Sequence, residues 1–218
     1  LLAAAAAVSL PACSQPRAER RAKVLRYAFR VAETGFDPAQ VNDLYSSTII
    51  ANIFDAPLTY DFLARPARVV PNTAVALPEV APDYTALTVR IRPGIYFQDH
   101  PAFGGRRREL VAQDYVYAIK RFYDPRFKSP RVYLLENARI LGLSEVRAAA
   151  LKGAQFDYDR EVEGLRALDR YTLRIRFAVA NPRFHLYLAD NSCLGAVARE
   201  VAEMYDDKQL MGQPVDAY

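Results

Sequence analysis

Residues that carry chemistry are sparse in this chain. Two cysteines and two histidines stand among 218 residues, so a zinc centre would have to be built mostly from carboxylates, and His100 and His185 lie at no ligand spacing. No phosphate-loop or dinucleotide-binding glycine pattern occurs, Gly104-Gly105 being isolated, and nucleotide hydrolysis is not expected of this chain. The run Gly142-Leu-Ser-Glu-Val146 opens like a nucleophile elbow but lacks the second glycine. Ser144 therefore reads as the N-cap of the next helix, with Arg147 where a capping box would carry Glu. The alternating acids Asp157, Asp159, Glu161 and Glu163 lack the glycine and the spacing of a calcium loop, and read as one solvated edge. No catalytic residue, metal or cofactor is expected.

Charge of one sign is not concentrated either. The formal net charge is +4, from 29 basic and 25 acidic residues, and the only dense basic runs are Arg17 to Lys23 and Arg106-Arg107-Arg108, so no nucleic-acid partner is expected. A long apolar run is also lacking. Leu1 to Val8 is wholly apolar but too short to span a bilayer, which takes ~20 residues as a helix. Followed by Leu10-Pro-Ala-Cys13, it reads as a secretory leader without its basic n-region, ending either in a lipoprotein box with Cys13 acylated or in plain cleavage near Ala12. Residues 14–23 have the polar, basic composition of a tether. Cys193 is then a free thiol, or the partner of Cys13 in an oxidising compartment.

What is present is ample material for a core: 51% hydrophobic and 11% aromatic residues. The organising stretch runs from Tyr84 to Pro130. Thr88 to Arg92 alternates with Val89 and Ile91 facing inward, Pro93-Gly94 stops the ladder, and a loop with Asp99 follows. Tyr115, Ala118, Ile119 and Phe122 then predict a helix with one apolar stripe. Asp114 stands near its start, Lys120 and Arg121 near its end where they oppose the dipole, and Asp124-Pro125 closes it.

Around this stretch the pattern alternates between strand and helix. Val24 to Val31 predicts a first strand, and Glu33 to Pro38 breaks it. Asp43 to Phe54 predicts a helix capped by Asn42 or Asp43, with Tyr45, Ile49, Ile50, Ile53 and Phe54 on one stripe. Leu58 to Asp61 and Val69 to Leu77 predict short strands joined by a loop at Arg65-Pro66. Further on, Leu143 to Lys152 predicts a helix stopped by Gly153, Tyr171 to Val179 a strand, and Phe184 to Leu188 and Ala196 to Tyr205 helices separated at Asn191-Ser192. No internal repeat occurs. The expected class is α/β, a mixed β-sheet with flanking helices.

Several of these segments, in this order, resemble one family. "LTVRIRPGIYFQDHPAF" followed by "RELVAQDYVYAIKRFYDPRFKSP" is similar to the signature region of the family 5 extracellular solute-binding proteins, the peptide receptors of bacterial ABC importers. The similarity extends from "FDPAQVNDLYSSTIIANIFDAPLTYD" (36–61) through "ALDRYTLRIRFAVANPRFHLYLA" (167–189) to "VAREVAEMYDD" (197–207). The resemblance implies a type II periplasmic-binding-protein-like lobe I over 24–218, incomplete, with the second lobe missing. It implies a monomer that captures peptides, or dipeptides, nickel or other small solutes, in the periplasm and delivers them to permease and ATPase subunits, touching the membrane only through a lipid on Cys13.

On the same resemblance, the segment after the first "D-P" contributes to the ligand cleft, which points to Asn42, Leu44 and Tyr45, with Glu33 beside them. The residues after the later "S-P" point to Arg131 and Tyr133. An acidic anchor for the peptide amino terminus would lie on lobe II. Two competing classes stay open: an envelope hydrolase acting on peptides, and a surface assembly module.

Overall fold

Alternation along residues 86–91 is what builds the sheet. In the computed structural model, which describes residues 24 and 26–205, β4 (Ala86–Arg90) turns Leu87 and Val89 inward and leaves Arg90 exposed. Its partner comes from far along the chain. β6 (Thr172–Arg176) pairs antiparallel with β4 from Ala86 opposite Arg176 to Arg90 opposite Thr172. β3 (Glu79–Val80) and β5 (Leu165–Ala167) complete a four-stranded sheet of order β3-β4-β6-β5. A separate ribbon pairs β1 (Leu58–Tyr60) with β2 (Val69–Pro71). Every strand pair among the described residues is antiparallel.

The inner face of the sheet is covered by α2 (Ala112–Tyr123), whose side chains Tyr115, Ile119 and Phe122 are buried with Leu87, Val89, Leu165, Leu173 and Ile175 in one apolar cluster. Asp114 starts the helix by accepting the Val111 N–H at 2.8 Å. Its carboxylate also receives the Arg108 guanidinium at 2.7 Å, and burial raises its pKa against that opposing pull. The end of α2 falls where expected, with Lys120 and Arg121 in its last turn and Asp124 as its C-cap. Both side chains are buried, which the sequence reading did not address. The Lys120 ammonium donates to the carbonyls of Tyr158 and Arg160 at 2.7 and 2.6 Å, and Arg121 grips Asp37 bidentately at 3.0 and 2.8 Å. A long side chain carries its charge past the apolar stripe to a partner that local sequence cannot name.

Other elements follow the sequence reading with corrections at their ends. α1 (Leu44–Ile50) stops before the expected Phe54, because the Asn52 and Ile53 amides turn back to the carbonyls of Ile49 and Ile50 and tighten the last turn. α3 (Val132–Ala138) leads into α4 (Leu143–Leu151). The N-cap of α4 is Gly142, held at φ +84°, and Ser144 lies within the first turn instead. α5 (Phe184–Tyr187) and α7 (Arg199–Met204) match the expected helices, but the expected break between them is itself a short helix, α6 (Asn191–Leu194), capped by Asp190. The chain divides into a short unit through Arg30 and a main body from Val31. In the first, the expected strand over 24–31 does not form among the described residues, although Tyr27 and Phe29 keep their rings edge to face at 5.4 Å. Alternation proposes a strand, and only a ladder of paired amides makes one.

Candidate functional site

The N-terminal end of α1 is assembled from three places in the chain. Asp43 is the N-cap: its carboxylate accepts the Ser46 N–H at 2.8 Å and the Thr34 hydroxyl at 2.6 Å. Thr34 in turn donates its own N–H to the Ser46 hydroxyl at 2.9 Å. Glu33, half-buried, thereby sits one residue from a segment stitched to the start of α1. Burial works to raise the Asp43 pKa, but the hydrogen bonds from Ser46 and Thr34 outweigh it and hold the carboxyl down at about 2.

The third contribution comes from the loop before α3. Arg131 is only 8% exposed, and its guanidinium spreads over α1, the residue before its cap, and α6. Nε donates to Asn42 Oδ1 at 3.0 Å, Nη2 to Ser47 Oγ at 2.6 Å, and Nη1 to Ser192 Oγ and the Ser192 carbonyl at 2.9 and 3.2 Å. Two stretches singled out separately in the sequence, at Asn42 and Arg131, are thus joined by a direct bond across 89 residues. Tyr133 follows on the first turn of α3 and is 54% exposed. Leu44 is 73% exposed on α1, so it is not a core residue, whereas Tyr45 beside it is half-buried.

A shallow groove of about 620 Å³ adjoins the far end of α1, lined by Ala51, Tyr60, Leu186, Tyr187, Asp190 and Asn191. Its wall is tied to α1 as well. The Asn191 side chain accepts the Ala56 N–H at 3.0 Å and donates to the Ala51 carbonyl at 3.2 Å. Gly195 closes the same corner, because a Cβ there would collide with Phe54. A second groove of about 570 Å³, behind α2, is lined by charged side chains that pair with one another, among them Arg199 with Asp159 and Glu203.

Chemistry at this edge is that of contact and hydrogen bonding. Among the described residues no group of three or more His, Cys, Asp or Glu side chains is placed to hold a metal, and the Cys193 thiol, buried beside Asp190, is pushed up to about 12 and stays protonated at neutral pH. Asp157, Asp159, Glu161 and Glu163 are all exposed, as the solvated-edge reading expects. No helix is long and apolar enough to cross a membrane among the described residues. Cys13 and the tether over 14–23 lie outside the described residues. The sequence reading missed Thr34, Ser47 and Ser192. The one local signal is a cap pattern, an Asp followed two or three residues later by Ser, which marks Ser192 after Asp190 and, at Asp43 to Ser46, only the neighbour of Ser47.

The chain resembles known proteins at three levels. It is 26% identical over 172 residues to the periplasmic oligopeptide-binding protein OppA of Escherichia coli (strain K12), covering 79% of this chain and 28% of that one. Its fold matches OppA of Listeria monocytogenes bound to peptide, with a TM-score of 0.63, 17% identity, and 80% of this chain against 30% of that one. OppA of Haemophilus influenzae in complex with RPPGFSPFR matches likewise, with a TM-score of 0.63, 21% identity, and 81% of this chain against 31%. The chain therefore spans about 30% of the length of the relatives it matches. The family model for bacterial extracellular solute-binding proteins, family 5, matches residues 68–215, well over half of the chain, and this protein belongs to that family.

Proposed function

We propose that this chain is part of the substrate-binding component of an ABC importer, capturing peptides or similar small solutes in the periplasm and passing them to a permease and ATPase. In this reading Asn42, Leu44, Tyr45 and Tyr133, with Glu33 beside them, form one side of the ligand cleft. The rest of the cleft belongs to a second lobe, and ligand contacts to both lobes shift the population from open to closed. The protein acts as a monomer without a cofactor, and acylation of Cys13 tethers it to the membrane.

The observation that supports this reading best is the character of the α1 edge. Leu44 at 73% and Tyr133 at 54% exposure flank a backbone held by a cap and a buried guanidinium, so apolar contact area is offered on a fixed support. A cleft that takes many peptides needs that combination of apolar contacts and pre-set geometry, and water can fill what room a ligand leaves, because bridging costs at most ~2 kcal/mol per molecule.

Calorimetry with a tripeptide to pentapeptide library tests it. A version carrying both lobes binds, and this chain alone binds at least about tenfold weaker, because one side of the cleft lacks its counterpart. Equal affinity of the two would overturn the two-lobe account, and turnover of the library would overturn the binding-protein reading altogether. Metabolic labelling with a radioactive fatty acid checks Cys13: label is expected in the membrane fraction and absent from Cys13→Ser.

A further inference from the structure

We infer that Arg131 is a positioning residue for the ligand edge, holding α1 in place from behind instead of reaching the ligand. The inference rests on the proposed function for the meaning of the edge, but its geometry stands on the chain alone. An arginine at a peptide cleft would ordinarily be assigned to a carboxylate of the ligand. Here its donors point inward, at 2.6 to 3.2 Å, to Asn42 before α1, Ser47 within α1 and Ser192 in α6.

The acceptors are chosen for geometry and not for charge. All are neutral, and the nearest carboxylate in the network is reached through a hydroxyl: Ser192 Oγ accepts from Arg131 and donates to Asp190 Oδ1 at 2.7 Å. Asp190 also caps α6 by accepting the Ser192 N–H at 2.9 Å. The guanidinium is therefore held by a chain of hydrogen bonds whose far end is a helix cap, and Asn191 ties the same turn to the other end of α1. Only a planar fork can serve the loop before α1, α1 itself and α6 at once. An ammonium on a similar stem has no such span, so lysine does not substitute.

The consequence is a division of labour along α1. Leu44 faces solvent while Ser46 and Ile50 are buried, so the helix is fixed by its inner side and offers its outer side. Seven residues are too few to hold a helix by propensity alone. Without Arg131 the edge keeps its residues and loses its address.

The test uses this chain carrying Arg131→Ala, Arg131→Lys or Ser47→Ala. Hydrogen exchange is expected to speed at least about tenfold at the amides of α1 and α6 in both Arg131 variants, less in Ser47→Ala, with the amides of β4 and β6 unchanged. Unchanged protection of α1, or an equal loss in the sheet, would overturn the inference. A second readout is affinity for three peptides of equal length, one acidic, one neutral and one basic. With each peptide also made as its C-terminal amide, a positioning role lowers every affinity by the same factor in Arg131→Lys, whereas a loss confined to the acidic peptide or to the free-carboxylate forms would make Arg131 a direct ligand contact. If the unmodified chain binds none of them, the functional reading weakens while the exchange data still decide the role of Arg131.

Discussion

Two regions of this protein are held together in opposite ways. Between α2 and the sheet, Leu87, Val89, Leu173 and Ile175 meet Tyr115, Ile119 and Phe122 in a closed apolar cluster, where each fully buried side chain contributes about 1.5–3 kcal/mol. At the α1 edge the ties are polar: Asp43 to Ser46 and Thr34, Arg131 to Asn42, Ser47 and Ser192. A net hydrogen bond contributes only about 0.5–1.5 kcal/mol. The first region supplies stability without direction, and the second supplies direction at little gain in stability. That difference is what a binding edge on a rigid body requires. Leu44, at 73% exposure, can remain in water only because something other than its own burial holds the helix.

The contrast is broken most directly in the core. Phe122→Ala, at a side chain 1% exposed, is expected to cost about 3–5 kcal/mol of unfolding free energy in urea titration, affecting the whole main body. A loss below ~1 kcal/mol would mean that the cluster is not one cooperative unit.

The two regions are joined by the Asp37 to Arg121 pair, whose side chains are 7% and 4% exposed. Asp37→Ala takes from the buried guanidinium the carboxylate it grips bidentately and is expected to cost about 3 kcal/mol, while Asp37→Ala combined with Arg121→Met costs less than the sum of the two single changes. Urea midpoints of the four proteins in that cycle decide the matter. Strict additivity of the two single changes would show that Asp37 acts through its own loop and not through the pair.

A smaller effect is expected at the cap of α1. Asp43→Ala costs about 1 kcal/mol, and Asp43→Asn separates cap from charge. The Asp43 carboxyl is held at about 2, below its ordinary 3.8. Its charged form is therefore favoured by folding, so its contribution is complete above about pH 4 and fades as pH falls towards 2. Thermal midpoints should show this acid arm in the unmodified chain and a shallower one in Asp43→Asn. The smallest change is expected at Tyr123, whose buried hydroxyl has no hydrogen-bond partner among the described residues. Tyr123→Phe should leave the urea midpoint unchanged or raised, by less than ~1 kcal/mol, since no bond is lost and a polar group leaves the interior.

Much of the core was legible because its signals are local. The alternation ending at Pro93-Gly94 marked β4, and a stripe at helical spacing marked α2. Gly94 at φ +81° and Gly153 at φ +99° stand where a turn and a helix stop were expected. The candidate edge was legible only in part. Asp43 could be named as a cap and Asn42 and Arg131 as members of one site through the family resemblance, but not that the two touch. Ser47 carried no signal of its own and Ser192 only that of a cap, and neither could be tied to Arg131, which lies 84 and 61 residues away in the chain.

Periodicity by itself determined the class of this protein and the position of its central strand and helix, because each of those depends on residues within a turn or two of one another, and the order of several short motifs along the chain carried the resemblance to its family. Tertiary structure alone decided that β4 pairs with β6, that Lys120 and Arg121 end in the interior, and that Arg131 faces inward. A guanidinium or an amide ladder takes its meaning from the acceptor opposite it, and which acceptor stands there is settled only when distant segments have packed.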